Sequence, residues 1–332
     1  PFRYQRLSTA RDDLPEDPLA RFMEFYGSFE ESRRFFEDKA PIRFAAATLA
    51  TTPGDAAQVA DRIRELQGEL EGGFGFWSMV VKPLQLILAA VLHKRGDDPA
   101  AFSAGFAEAR ASFRTHKLRR DEVYEFMAYT ILRGQCGNGP IPDERVRRVK
   151  DIYVALRKYH WFLTGPEDLP ACAALAGTED SPSAIGEGTE ALYQALRKRA
   201  KWWPGEELHT ASHIMFLSGV AADTITDRAV RLCEGFKARG YKIRIGDYHN
   251  VALLCMMAIP IERIIDAVLA AAQRIQDELK IWFGKAASFN LAVSIAFVEL
   301  LQGNDDLERL SDVKTLLDMQ AIIMAQQSAA AS

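Results

Sequence analysis

Apolar residues fall along this chain in two kinds of segment, and the two alternate. The first kind is apolar on nearly every side and rich in Ala: RFAAATLAT from Arg43, PLQLILAAVL from Pro83, EVYEFMAYTIL from Glu122, EDLPACAALAG from Glu167, ELHTASHIMFLSG from Glu207, YHNVALLCMMA from Tyr248 and SFNLAVSIAFVELL from Ser288. A helix apolar all round must be enclosed by neighbours. The second kind, such as AAQVADRIRELQGEL, RVRRVKDIYVALRKY and ITDRAVRLCEGFKARG, carries one apolar stripe against a charged face. Period-2 alternation with hairpin turns is missing, so no sheet is expected. The pattern predicts an all-α protein of antiparallel helix pairs, buried inner helices alternating with amphipathic outer ones.

Aromatic clusters mark a beat in this alternation. Trp77, Trp161, Trp202–Trp203 and Trp282 recur, with Leu118 and Tyr241 in the two empty slots, at steps of 41, 43, 41, 39 and 41 residues. A period in this range signals stacked repeats. The expected organisation is an N-terminal helical cap over 1–40, six to seven helix pairs over 41–303, and a C-terminal helix with a frayed tail over 304–332. Such pairs build an open α-solenoid or a closed α/α toroid. Glycines at 72, 73, 75, 165, 205, 240 and 246 fall between an outer helix and the next inner one, and Thr164-Gly-Pro-Glu167 has the spacing of a capping box.

Bulk properties narrow the function classes. The 332 residues are 48% hydrophobic and 26% charged with a net charge of −4, ordinary for a soluble globular protein and without the basic stripe of a nucleic-acid binder. Cys136, Cys172, Cys233 and Cys255 include no CxxC pair, which argues against a disulfide framework or a Cys-rich zinc site. The first residues hold no apolar signal core, and the longest apolar run, Pro83 to Leu92, is too short to span a bilayer. A cytoplasmic protein without membrane or nucleic-acid partners is expected.

Inner helices that start at one height would turn their first residues to a shared rim. Those positions are Arg43, Lys82, Glu122, Asp168, Glu207, His209, Tyr248, His249 and Asn290, with Trp161 beside them. Apolar and aromatic walls with a few polar groups suit a small-molecule pocket. Acids at helix starts also cap free N–H groups, which accounts for Glu122, Glu167, Asp168, Glu206, Glu207 and Asp247 without any ligand. Arg43 and Lys82 escape that explanation, because a cation at a helix N-terminus is disfavoured, and they suggest an anionic ligand.

Four of six histidines, His160, His209, His213 and His249, lie on or just before inner helices. His209 and His213 are four apart and share one helix face, so they could bind a divalent metal, with Glu206, Glu207, Asp168 or His249 completing the set. Thr210 follows His209, which excludes the HExxH chemistry of zincins. A satisfied core histidine is the competing reading for His213. The chain contains no Walker A, strand-borne GxGxxG or GxSxG motif.

The stretch ending at Leu175, YVALRKYHWFLTGPEDLPACAAL, resembles the central signature of an uncharacterised bacterial family, the domain of unknown function numbered 4003. Ser212–His213 and Tyr248 match further motifs of that family, and the likeness runs from about residue 20 to 300. The resemblance implies no known activity. It raises His160, Asp168 and His213 as a shared catalytic site, and it marks His209 as a peculiarity of this chain.

Three functions follow as expectations. The first is a small-molecule binder or enzyme, with His160 and His213 in acid–base roles, Asp168 orienting an imidazole, and Arg43 and Lys82 holding an anion. The second is a non-catalytic repeat scaffold whose exposed Trp residues anchor a protein or peptide. The third is a metal-dependent enzyme using His209 and His213. Shielded indoles at Trp161 and Trp202 would count against the scaffold.

Overall fold

Fourteen α-helices and no strand make up the described residues of the computed structural model, which are 17–33, 37–74, 84–118, 121–279 and 285–301. Trp77, Lys82 and Trp282 lie outside them, as does the expected C-terminal segment 304–332. In chain order the helices are α1 (Pro18–Glu31), α2 (Lys39–Thr48), α3 (Ala56–Phe74), α4 (Gln85–Arg95), α5 (Pro99–Thr115), α6 (Glu122–Gln135) and α7 (Asp143–Tyr159). They continue as α8 (Leu169–Leu175), α9 (Pro182–Ala195), α10 (Glu206–Phe216), α11 (Ala222–Ala238), α12 (Tyr248–Cys255), α13 (Ile261–Leu279) and α14 (Lys285–Leu301).

Local sequence sets five of the helix starts through side-chain caps. The Asp17, Asp38, Asp98 and Asp121 carboxylates and the Ser181 hydroxyl each accept backbone N–H bonds from the first turns of α1, α2, α5, α6 and α9. Pro99 and Pro182 stand at the first helical position, where a missing N–H costs nothing. Gly96 ends α4 in the left-handed conformation with φ of 60°, which a side chain would strain.

Burial separates the two classes of helix. In α4 every residue from Gln85 to Leu92 is buried, and in α14 so is every residue from Phe289 to Phe297. In α5, by contrast, Phe102, Phe106, Ala109, Arg110 and Phe113 form a single buried stripe. In α7 the stripe is Val146, Val149, Ile152, Tyr153 and Leu156, and in α11 it is Ile225, Thr226, Ala229, Leu232 and Phe236. Among the buried helices, α2 packs on α4, α6 on α8, α8 on α10, α10 on α12, and α12 on α14. Arg95 bridges α4 to α6 through the Thr130 carbonyl at 3.1 Å. α14 packs on both α1 and α2, and Arg274 of α13 pairs with Asp17 at 2.9 Å, so the last helices lie against the first. No described helix is long and apolar enough to cross a membrane, and all four cysteines are free thiols.

Two expected helix starts shift. Arg43 is the fifth residue of α2, which begins at Lys39 under an Asp38 cap, so it is not a cation at a helix N-terminus. Asn290 is the sixth residue of α14 and is buried, not at a first turn. The apolar periodicity identified both helices correctly and placed their first turns too late, because charged Lys residues open each one.

Candidate functional site

His160 ends α7, and its carbonyl accepts the Thr164 hydroxyl at 2.8 Å. The expected Thr164 cap on the following helix is therefore not made. Asp168 supplies that bond instead, its Oδ2 accepting the Gly165 N–H at 2.9 Å across the 3-10 turn Pro166–Asp168. The same device recurs before α12, where Asp247 Oδ2 accepts the Arg244 N–H at 2.9 Å. There the comparison ends. Asp247 also accepts the Tyr241 hydroxyl at 3.2 Å, an ordinary neutral partner.

Asp168 faces two imidazoles. Its Oδ1 lies 3.3 Å from His209 Nδ1 and 3.6 Å from His213 Nδ1, with all three side chains only 2% exposed. Capping thus explains one oxygen of Asp168 and not the other. His209 and His213 stand one turn apart on α10 with ring centroids 4.2 Å from each other. His213 Nδ1, His213 Nε2 and His209 Nδ1 are buried without a hydrogen-bond partner. Burial holds the His213 imidazole well below its ordinary pKa, helped by the charges of His209 and His160.

The His160 ring lies 5.1 Å from that of His209 and 4.3 Å from that of Tyr193. Its Nε2 is 2.5 Å from Glu190 Oε2. Burial pushes His160 down more than Glu190 pulls it up. A neutral imidazole donating Nε2–H to Glu190 leaves Nδ1 as a base. Glu190 and Tyr193 belong to α9, an outer helix whose charged face gave no hint of a site. Their only trace in the sequence is Gly186, where a Cβ would meet the Ala155 carbonyl at 3.1 Å and the Tyr159 ring at 3.2 Å. Its absence lets α9 approach α7 closely enough for Glu190 to reach His160.

Glu206 and Glu167 complete the cluster, each offering an oxygen within 4.8 Å of Asp168 and of one another. Burial first, then the charges of Asp168, Glu167 and Glu207, raise Glu206 to about 8. Burial also raises Glu167. Asp168, His209 and His213 form a second overlapping group with ligand atoms inside the same limit, and either group could hold a metal ion.

Other expected site residues have different settings. Glu122 pairs with Arg110 of α5 at 3.5 Å, and Asp121 makes the helix cap expected of it. Tyr248 stacks on Trp202 at 4.2 Å, and its hydroxyl accepts the Trp203 N–H at 2.9 Å. Glu207 acts electrostatically on both Glu206 and Tyr248. His249 is half-buried on the first turn of α12. Trp161 is 71% exposed and meets Phe162 edge to face, whereas Trp202 is 4% exposed. α9 runs into a π turn, Leu196–Ala200, and Lys201 takes a left-handed φ of 57°, which sends the chain into Trp202–Trp203.

These features define an all-helical protein with a buried carboxylate–imidazole cluster formed by the end of α7, the turn before α8 and one face of α10. The chain belongs to the family described as Protein of unknown function (DUF4003), which it matches over residues 28–328. It is similar to the uncharacterized protein YeaA of Bacillus subtilis strain 168, with 26% identity over 272 residues that cover 81% of this chain and 79% of that protein. No solved structure matches it.

Proposed function

We propose that this protein binds a small molecule at the Asp168 cluster and acts on it by proton transfer. The observation that carries the reading is the convergence of His160, Asp168, Glu206, His209 and His213, from the end of α7, the turn before α8 and one face of α10, on one buried locus. A neutral Glu206 beside a carboxylate, and a His160 with one nitrogen committed to Glu190, make an acid and a base of differing character at neutral pH. Burying so many ionisable groups is costly unless a ligand uses them. Glu167, Asp168, Glu190 and Glu207 make the surroundings acidic, which favours a neutral or cationic ligand over the anion suggested by Arg43 and Lys82.

A thermal-shift screen of polar metabolites tests this reading. Ligands that raise the wild-type melting temperature are expected to lose at least about tenfold in affinity in Glu190→Gln and Asp168→Asn, the range for losing one charge-assisted hydrogen bond. Equal binding to all three proteins would refute the site.

The scaffold reading keeps one observation in its favour. Trp161, Phe162 and Trp203 are each about 70% exposed, and exposed aromatics can anchor a partner. In that case a Trp161→Ala, Trp203→Ala double variant loses its protein partner while its response to small molecules is unchanged.

Of the two arrangements open to the helix pairs, with their period near 41 residues, we favour the closed α/α toroid over the open solenoid. The packing of α14 on α1 and α2 and the Arg274–Asp17 pair support closure. A closed ring of this length has a radius of gyration of about 20 Å by the compact-domain scaling. Small-angle scattering giving a value several ångströms larger would favour the open solenoid.

A further inference from the structure

We infer that Asp168, His209 and His213 form the ligand set of a divalent transition-metal ion, bound through Asp168 Oδ1 and the two Nδ1 atoms. The inference deepens the reading above, because the ion would occupy the same cluster.

The geometry carries it. Ligand atoms about 2.1 Å from a tetrahedral cation are about 3.4 Å apart. The two separations that share Asp168 are 3.3 and 3.6 Å, and all three atoms lie within 4.8 Å. Neither imidazole nitrogen makes a hydrogen bond to that oxygen. Two buried nitrogens therefore meet one carboxylate oxygen without hydrogen-bond geometry, at 3.3 and 3.6 Å, separations close to those of shared coordination.

The protonation states point the same way. A buried neutral imidazole needs an acceptor for its N–H and a donor for its lone pair. His213 is 1% exposed and finds neither. A lone pair facing a carboxylate oxygen is repelled, and a cation between them reverses the sign. The local folding places these atoms independently of any ion. The turn at Gly165 holds Asp168 through Oδ2, so Oδ1 is left for a second task, and the one-turn spacing on α10 stacks both imidazoles on it. At Asp247 the same turn uses Oδ2 for both of its bonds, accepting the Arg244 N–H and the Tyr241 hydroxyl.

A set of two nitrogens and one oxygen suits zinc or another first-row ion, whereas magnesium and calcium prefer all-oxygen cages. Glu206 and Glu167, each with an oxygen within 4.8 Å of Asp168, are the nearby groups that could complete the shell or hold a bound water.

The test uses the full chain with any affinity tag removed, stripped by chelator and titrated with Zn(II) and Co(II). About one equivalent per chain is expected, with the visible d–d absorption of four-coordinate cobalt. Asp168→Asn and His213→Gln are each expected to weaken binding by at least about 100-fold, more than a supporting residue would. Glu190→Gln should bind metal like wild type. Nitrogen hyperfine splitting in the Cu(II) electron paramagnetic resonance spectrum of the wild type reads imidazole ligation without any variant. Stoichiometry below about 0.1, or a spectrum without nitrogen splitting, would overturn the inference. So would unchanged affinity in both ligand variants. Full metal binding with no small-molecule hit upholds this inference and sinks the function above, and small-molecule hits in a protein that takes up no metal do the reverse.

Discussion

Replacing Arg133 with Met lowers the folding free energy by about 3–5 kcal/mol, the range for removing one partner of a buried ion pair. Arg133 lies on the inner helix α6, and its Nε and Nη2 donate to the two Asp97 oxygens at 2.7 Å each. The two side chains are 5% and 3% exposed. The pair ties the turn after α4 to α6, where Arg95 makes the other link. Met fills much of the space of the Arg stem and leaves the Asp97 carboxylate buried without its counter-ion. Equilibrium denaturation in urea measures the loss as a lower midpoint. Pairing the change with Asp97→Leu is expected to recover a large share of it, because the cost lies in the uncompensated charge. A single variant within about 1 kcal/mol of wild type would mean that water reaches Asp97 and that the bridge to α6 contributes little.

Glu206→Gln is expected to stabilise the metal-free protein at pH 8 and to change little at pH 5. Burial raises this carboxyl from 4.5 to about 8 in the folded state. Below pH 4.5 both folded and unfolded chains carry the proton, and no penalty exists. Between about 4.5 and 8 the unfolded chain releases its proton while the folded chain keeps it. The folded state then binds more protons, so stability falls as pH rises through this window. The shift from 4.5 to about 8 sets a ceiling of about 5 kcal/mol, at about 1.4 kcal/mol per pH unit. Residual exposure of the group reduces the expected effect to about 2–4 kcal/mol. Gln preserves the shape and removes the ionisation, so the stability–pH curve of the variant should be flatter between pH 5 and 8. Parallel curves would refute the desolvated setting of Glu206. Zn(II) should shrink the difference between the proteins, because a cation nearby lets Glu206 ionise without penalty.

Much of this molecule could be read from residue spacing. The all-round apolar character of PLQLILAAVL became α4, buried on every side, and the single stripe of AFSAGFAEARASF became the one-sided burial of α5. These outcomes depend on periodicity, which neighbours in sequence supply. Helix starts were less legible where the first turn is charged, as at Lys39 of α2 and Lys285 of α14. The candidate site was read in part. His160, Asp168 and His213 do come together, and His209, named with His213 as a candidate metal pair, stands beside them. Glu190 and Tyr193 escaped notice because they come from an outer helix, where a charged face looks like solvent contact.

The amino-acid sequence by itself determined that the chain is helical, which helices are buried, and that two imidazoles share one face of α10. Each of those properties is local, set by hydrophobic spacing and the 3.6-residue turn. Only the tertiary structure decided that Asp168, 41 residues before His209, turns one oxygen to the Gly165 backbone and the other to both imidazoles. It also decided that α9 comes close enough at Gly186 to bring Glu190 to His160. Both are contacts between helices distant in the chain. Helix packing distance and rotation fix such contacts, and the pattern within any single helix leaves them open.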